Sequence, residues 1–218
     1  MFKSSKDDFQ CDSNAKVYGP IFADFKDCSE VSLRQIKEKV RVYKKKLVWA
    51  IRFMQSNGGR VRVDRDRFVR ADLIKWDMPG IEAAIDKLCI SNVLPLGAVQ
   101  DFSGFPEVPG YPWTLCLLHH YVEHISAIAE SGKFVMHGVS FASVKVSGLI
   151  VRRGTDEERD WNLAFARAAV DAGIEPDAVA VGEFLMKERC VAGSCRGRYE
   201  SVVARMIEIN GGNLGRFI

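Results

Sequence analysis

Apolar residues at Leu33, Ile36, Val40, Tyr43, Leu47, Ile51 and Met54 step by three or four, the spacing that lines one face of an α-helix. The stripe predicts a single amphipathic helix of about six turns. Ser32 stands where an N-cap belongs, and Asn57-Gly58-Gly59 supplies residues that tolerate positive φ where the helix must stop. Arg60-Val61-Arg62-Val63 then alternates as a short strand does, both valines on one side and both arginines on the other. A helix is expected around Arg67 to Lys75, capped by Asp64 or Asp66, with a turn at Met78-Pro79-Gly80 after it. Ile81, Ala84, Ile85 and Leu88 form the compact apolar face of a further helix over 81–90. An extended run over 93–99, a Gly- and Pro-rich loop and an apolar run from Trp113 predict two strands with a loop between them.

Beyond that point Leu118, Tyr121, Val122, Ile125 and Ile128 keep helical spacing, and Glu130-Ser131-Gly132 ends the run. Phe134, Met136, Val139, Phe141, Val144 and Val146 alternate with smaller or polar residues, predicting a hairpin or meander. From Thr155 the chain reads as three helices. Thr155 and Glu158 fit a capping box, with Trp161, Phe165 and Ala168 or Ala169 facing inward. Ala169, Gly173, Ile174 and Val179 fall at helix-turn-helix positions, but Gly182 and the acids Glu175, Asp177 and Glu183 favour a plain helical hairpin. The last helix, near 199–209, packs Val202, Val203, Met206 and Ile207.

Charge changes the picture more than composition does. The chain has 218 residues, 47% hydrophobic content and a net charge of +3, values that suit a folded globular protein. Residues 31–70 hold thirteen Lys and Arg against three acids, whereas 71–130 and 154–186 each hold two bases against eight acids. Such segregation favours one directed cationic surface, for phosphate or for an acidic partner. No run of about 18 apolar residues exists and no secretory signal is evident, so a cytoplasmic, membrane-free protein is expected. Six scattered cysteines, with Cys89 and Cys116 in apolar runs, argue against a disulfide scaffold.

The order of elements over 32–118 resembles a winged helix-turn-helix domain. The resemblance implies an α+β, helix-rich fold with a winged-helix-like N-terminal lobe, followed by a small β hairpin or meander and a C-terminal helical bundle. The expected units are an N-terminal extension (1–30), a winged-helix-like domain with a basic first helix (31–131), and a strand hairpin plus three-helix segment (132–218), which the strands after 131 could also join into one continuous domain. In winged-helix DNA readers the second helix of the motif enters the major groove. Here its exposed face would carry Glu82, Ala83, Asp86 and Lys87, and the wing Asp101 and Glu107, which do not suit a phosphate-lined groove.

Nucleic-acid contact is therefore assigned to Arg34, Lys37, Arg41, Lys44, Lys45 and Lys46 on the helix, and to Arg60, Arg62, Arg65, Arg67 and Arg70 after it. Lys145, Arg152, Arg153, Arg196, Arg198 and Arg205 are candidates to extend this surface. The leading expectation is a noncatalytic DNA- or RNA-binding protein, a regulator, replication or genome-packaging factor, without cofactor. The alternative is a protein-interaction adaptor on the same scaffold, docking a partner through acidic surfaces. A remoter one is a metal-dependent enzyme: His120 and His124 in His119-His120-Tyr121-Val122-Glu123-His124 stand one helical turn apart, with His137 or Cys116 as a third ligand. Cys190 and Cys195, flanked by Arg189 and Arg196, are a candidate redox pair, with a fortuitous pair of thiols as the plainer reading. The chain has no phosphate-binding loop, no G-x-G-x-x-G and no nucleophile elbow.

Overall fold

The computed structural model describes residues 16–57, 59–138, 146–191 and 199–211. In chain order the helices are α1 (Leu33–Val42), α2 (Leu47–Ser56), α3 (Met78–Leu88), α4 (Leu115–Tyr121), α5 (Asp156–Arg159), α6 (Trp161–Asp171), α7 (Ala178–Lys187) and α8 (Tyr199–Gly211). The strands are β1 (Glu30–Ser32), β2 (Arg60–Arg62), β3 (Arg67–Arg70), β4 (Val93–Pro95), β5 (Phe134–His137) and β6 (Leu149–Arg152). They form two antiparallel sheets of order β1-β3-β2 and β4-β6-β5. The fold is α+β. No described helix is long and apolar enough to cross a membrane.

Both sheets are inner layers. In the first, Val31 and Phe68 face a core made with α1, α2 and the turn Pro20–Phe25, while Val61, Val63 and Val69 face Ile74, Val108 and Leu117. In the second, Leu94, Phe134, Met136 and Ile150 meet α3 and the aromatic residues of the 99–114 loop, while Val93, Leu149 and Val151 meet α6, α7 and α8. The period-2 alternation of each strand thus supplies two cores at once.

The expected six-turn helix is two helices folded back on each other. Ser32 caps α1 through a capping box with Gln35, and Asn57 follows the end of α2, as the pattern predicts. Between them the chain reverses at Tyr43-Lys44-Lys45, where Lys44 adopts φ +50°. The amide of Lys45 donates to Val40 O at 2.9 Å and that of Lys44 to Arg41 O at 3.3 Å, the paired bonds of a Schellman ending in which lysine replaces the usual glycine. A left-handed lysine costs about 1–2 kcal/mol. Burying Phe53 and Met54 of α2 against Ile36 and Val40 returns about 1.5–3 kcal/mol for each large side chain, so the reversal wins.

Other expected elements change for equally local reasons. Residues 67–70 are the central strand β3 of the first sheet, not a helix, because Phe68 and Val69 bury on opposite faces. Asp64 and Asp66 sit in the β2–β3 turn, and the next helix is capped by Asp77, with Pro79 inside its first turn. The run after Trp113 is α4, capped by Thr114, and β4 pairs with β6, so the two-stranded wing expected between 93 and 118 is absent from these described residues. This β4–β6 pairing also joins the two regions on either side of 131 through one sheet. Residues ahead of 30 contribute Tyr18, Ile21, Phe22 and Phe25 to the first core.

In the C-terminal part Glu158 accepts from the Gly154 amide rather than from Thr155, and the longer α6 is capped by Asp160. Trp161 is about half exposed and leans on the His137 ring, whereas Phe165 and the alanines face inward as expected. Gly173 turns the chain at φ +68° into α7, and a side chain at Gly182 would strike the Tyr199 ring. Val139, Phe141, Val144, Lys145, Cys195, Arg196 and Arg198 lie outside the described residues.

Glu82, expected on an exposed face, is only 3% accessible. Its Oε1 accepts from Ser126 Oγ at 2.7 Å, from the Lys133 amide at 3.0 Å and from Tyr121 OH at 3.4 Å. Replacing Glu82 by Leu leaves these donors buried and unpaired, so a loss of about 3 kcal/mol is expected in urea unfolding. Glu82→Gln keeps the acceptor and should lose less.

Candidate nucleic-acid interface

Burial divides the eleven expected contact residues before electrostatics does. Arg60 and Arg62 are 2% and 3% accessible, because β2 is packed between α2 and α4. Arg60 donates to the carbonyls of Phe25, Lys26 and Ser29. Arg62 lies over the Phe68 ring and donates to Arg65 O at 2.8 Å. Desolvation lowers both guanidinium pKa values. Both guanidiniums are thus buried and hydrogen-bonded inside the fold, not displayed on its surface as the other nine are.

The other nine are at the surface, but several are engaged. Arg34 pairs with Glu38 at 3.1 Å, Arg67 meets Glu30 through two bonds of 3.1 and 3.0 Å, and Arg70 grips both oxygens of Asp72. Lys37, Arg41, Lys44, Lys45, Lys46 and Arg65 have no ion-pair partner among the described residues. Four of these, Arg41, Lys44, Lys45 and Lys46, crowd the reversal between α1 and α2.

That tip has further features. Tyr43 and Val42 are 49% and 72% exposed. The Lys46 carbonyl takes the Tyr18 hydroxyl at 3.3 Å and the Ala50 amide at 3.2 Å, fixing the tip to the core. No side chain caps the first turn of α2, and no acid occupies it. Its amide groups therefore stand free of side-chain acceptors amid the lysines, an arrangement favourable to anions. Farther away, Arg152 is bound to Asp86 at 2.6 Å, Arg153 to the carbonyls of Ala129 and Gly132, and Arg205 to Asp160 and Glu208. These three do not extend a free cationic surface.

The histidines follow α4 into a π-helical turn, Val122–Ser126. Glu123 stands 3.3 Å from both His119 Nδ1 and His124 Nε2, and Gln55 Nε2 stands 3.3 Å from His120 Nδ1. The His120 and His124 rings are 4.7 Å apart, while His137 bonds the carbonyls of Glu157 and Glu158 at 3.1 Å each. Among the described residues no group of three His, Cys, Asp or Glu is placed to hold a metal. Cys190 is buried, and desolvation drives its thiol pKa far above the ordinary value, away from a reactive thiolate.

Comparison with known protein families, curated proteins and solved structures finds no match to this chain. The functional reading rests on its own residues.

Burial depresses the pKa of His119, and that of His120 strongly; His137 is lowered for the same reason. These groups stay neutral in the fold while the unfolded chain binds protons below about pH 6.5. Their stabilising effect is complete above that pH and is lost as pH falls toward the folded values. Urea midpoints measured from pH 7.5 to 5 should drop through this window, and His120→Gln should flatten the dependence.

Proposed function

We propose that the protein is a noncatalytic nucleic-acid-binding protein that holds the phosphate backbone of DNA or RNA at the α1–α2 tip. The observation that carries this reading is the sorting of cations. Six cations of 31–70 stand exposed and without acid partners among the described residues, and four of them, Arg41, Lys44, Lys45 and Lys46, gather at one helix reversal, the other two being Lys37 on α1 and Arg65 in the β2–β3 turn. Phosphate contact needs cations free of intramolecular partners. Lys44 gives independent support, since it holds a left-handed position that glycine fills without strain. Backbone strain of this kind clusters at functional sites.

The binding element in this proposal is the reversal between two helices, with Tyr43 beside the lysines as a surface for a base or sugar. In this proposal the two sheets serve only as scaffold. A purely structural role, basic residues at the negative end of the α1 dipole, predicts stability without binding.

Labelled duplex and single-stranded oligonucleotides, followed by fluorescence anisotropy across salt concentrations, separate the two. Binding should weaken linearly on a log-log plot. Substituting Lys44, Lys45 and Lys46 by Ala should reduce the slope by about 3, at roughly 0.9 per lost phosphate contact, with circular dichroism unchanged. Absence of binding at low salt sinks the proposal.

A further inference from the structure

Three helices end at one groove beside β4, an edge strand of the second sheet. Leu88 closes α3, Asp171 closes α6, and Glu188 follows the last residue of α7; all three line an opening of about 300 Å³. Each helix C-terminus carries a partial negative charge, and here two of the three add a full carboxylate. An acid is the unfavourable choice at a helix C-terminus, where a base normally complements the dipole. α6 has no base in its last turn, and although α3 and α7 carry Lys87 and Lys187 in theirs, no Lys, Arg or His lines the groove among the described residues.

The two carboxylates are only partly satisfied. Asp171 accepts the Ser91 hydroxyl through Oδ2, leaving Oδ1 without a hydrogen-bond partner among the described residues. The nearest cation to Glu188 is its neighbour Lys187 at 4.0 Å, on a side chain 82% exposed. Against this acidic side stands an apolar one. Ile90, 84% exposed, and Leu88, 39% exposed, form a lip over Leu94 and Phe184.

The walls are held in place. The Gly97 amide donates to Glu188 O at 2.8 Å, and a Cβ on Gly97 would stand 2.5 Å from that same oxygen. The turn after β4 can therefore lie directly against the end of α7 only because residue 97 is glycine. Ser91 ties the end of α6 to the segment between α3 and β4.

We propose that this groove binds a small amphipathic amine, a protonated nitrogen on an apolar body. The cation sits among the converging helix ends and the carboxylates of Asp171 and Glu188. The body covers Ile90, Leu88 and Phe184. A neutral ligand of the same shape gains only the apolar contact, and an anion is repelled. The size is at the lower end of the range for small-molecule sites. This inference is independent of the nucleic-acid reading, because none of the α1–α2 residues lines the groove.

The test titrates 4-phenylbutylamine, 4-phenylbutanol and 4-phenylbutanoate into the full chain, following amide shifts by NMR. The amine should saturate, shift the amides of Ala98 and Ala172, and bind at least tenfold tighter than the alcohol, with no binding of the carboxylate. Asp171→Asn with Glu188→Gln should bring the amine down to the level of the alcohol while leaving the alcohol unchanged. Ala172 is exposed at the groove with ordinary helical backbone angles, so Ala172→Trp should fill the opening and abolish both without unfolding the protein. Equal affinity for amine and alcohol, binding that survives both variants, or no binding by any probe overturns the proposal.

Discussion

One buried carboxylate oxygen organises the centre of this fold. Glu82 Oε1 receives the Ser126 hydroxyl, the Lys133 amide and the Tyr121 hydroxyl, and Ser126 Oγ in turn receives the Phe134 amide at 3.1 Å. Among the described residues no lysine or arginine pairs with it, and its partners are hydrogen-bond donors. The arrangement fixes the exit of the π-helical turn, the reversal through Gly132 and the entry of β5 in one place. Gly132 lies so close to Ser126 O that a Cβ would stand 1.9 Å away. From β5 the second sheet is built, and from that sheet the two largest cores.

Buried charge explains why the positive stretch 31–70 is not a uniform surface. The first sheet is only three or four residues long in each strand, too small to cover its own edges with apolar groups. Arg60 fills one such position by satisfying the carbonyls of Phe25, Lys26 and Ser29 with a single fork of donors. Arg62 lays its guanidinium over Phe68. Both act as interior joints, and four of the six exposed cations without acid partners among the described residues gather at the helix reversal.

Much of the local structure was legible in the sequence. The apolar stripe, Ser32 as cap and Asn57 as stop are all present, as are the strand at 60–62 and the helices of the last third. What the stripe could not reveal was its interruption, since Tyr43-Lys44-Lys45 contains no glycine or proline and the left-handed turn is imposed by the packing of α2 back onto α1. Strand partners were equally hidden. The alternation at 93–95 announces a strand, but its partner at 149–151 follows a long intervening segment, and the nearer run at Trp113 was the natural but wrong choice. For the candidate site, exposure of Lys44 to Lys46 follows from their type. Burial of Arg60 and Arg62 does not, because their alternation with valine reads the same for a half-exposed strand as for one covered on both faces.

The second sheet places its last-made strand in the middle. β6 lies between β4 and β5, so β4 has no backbone partner until residues 149–151 exist. During synthesis the segment 93–95 therefore leaves the ribosome with apolar side chains for both faces and an unfilled hydrogen-bonding edge, and it keeps them while the chain from 96 to 148 is made. Such an interval is an opportunity for wrong pairing. The first sheet, whose three strands are complete by residue 70, carries no comparable exposure and is free to form ahead of it.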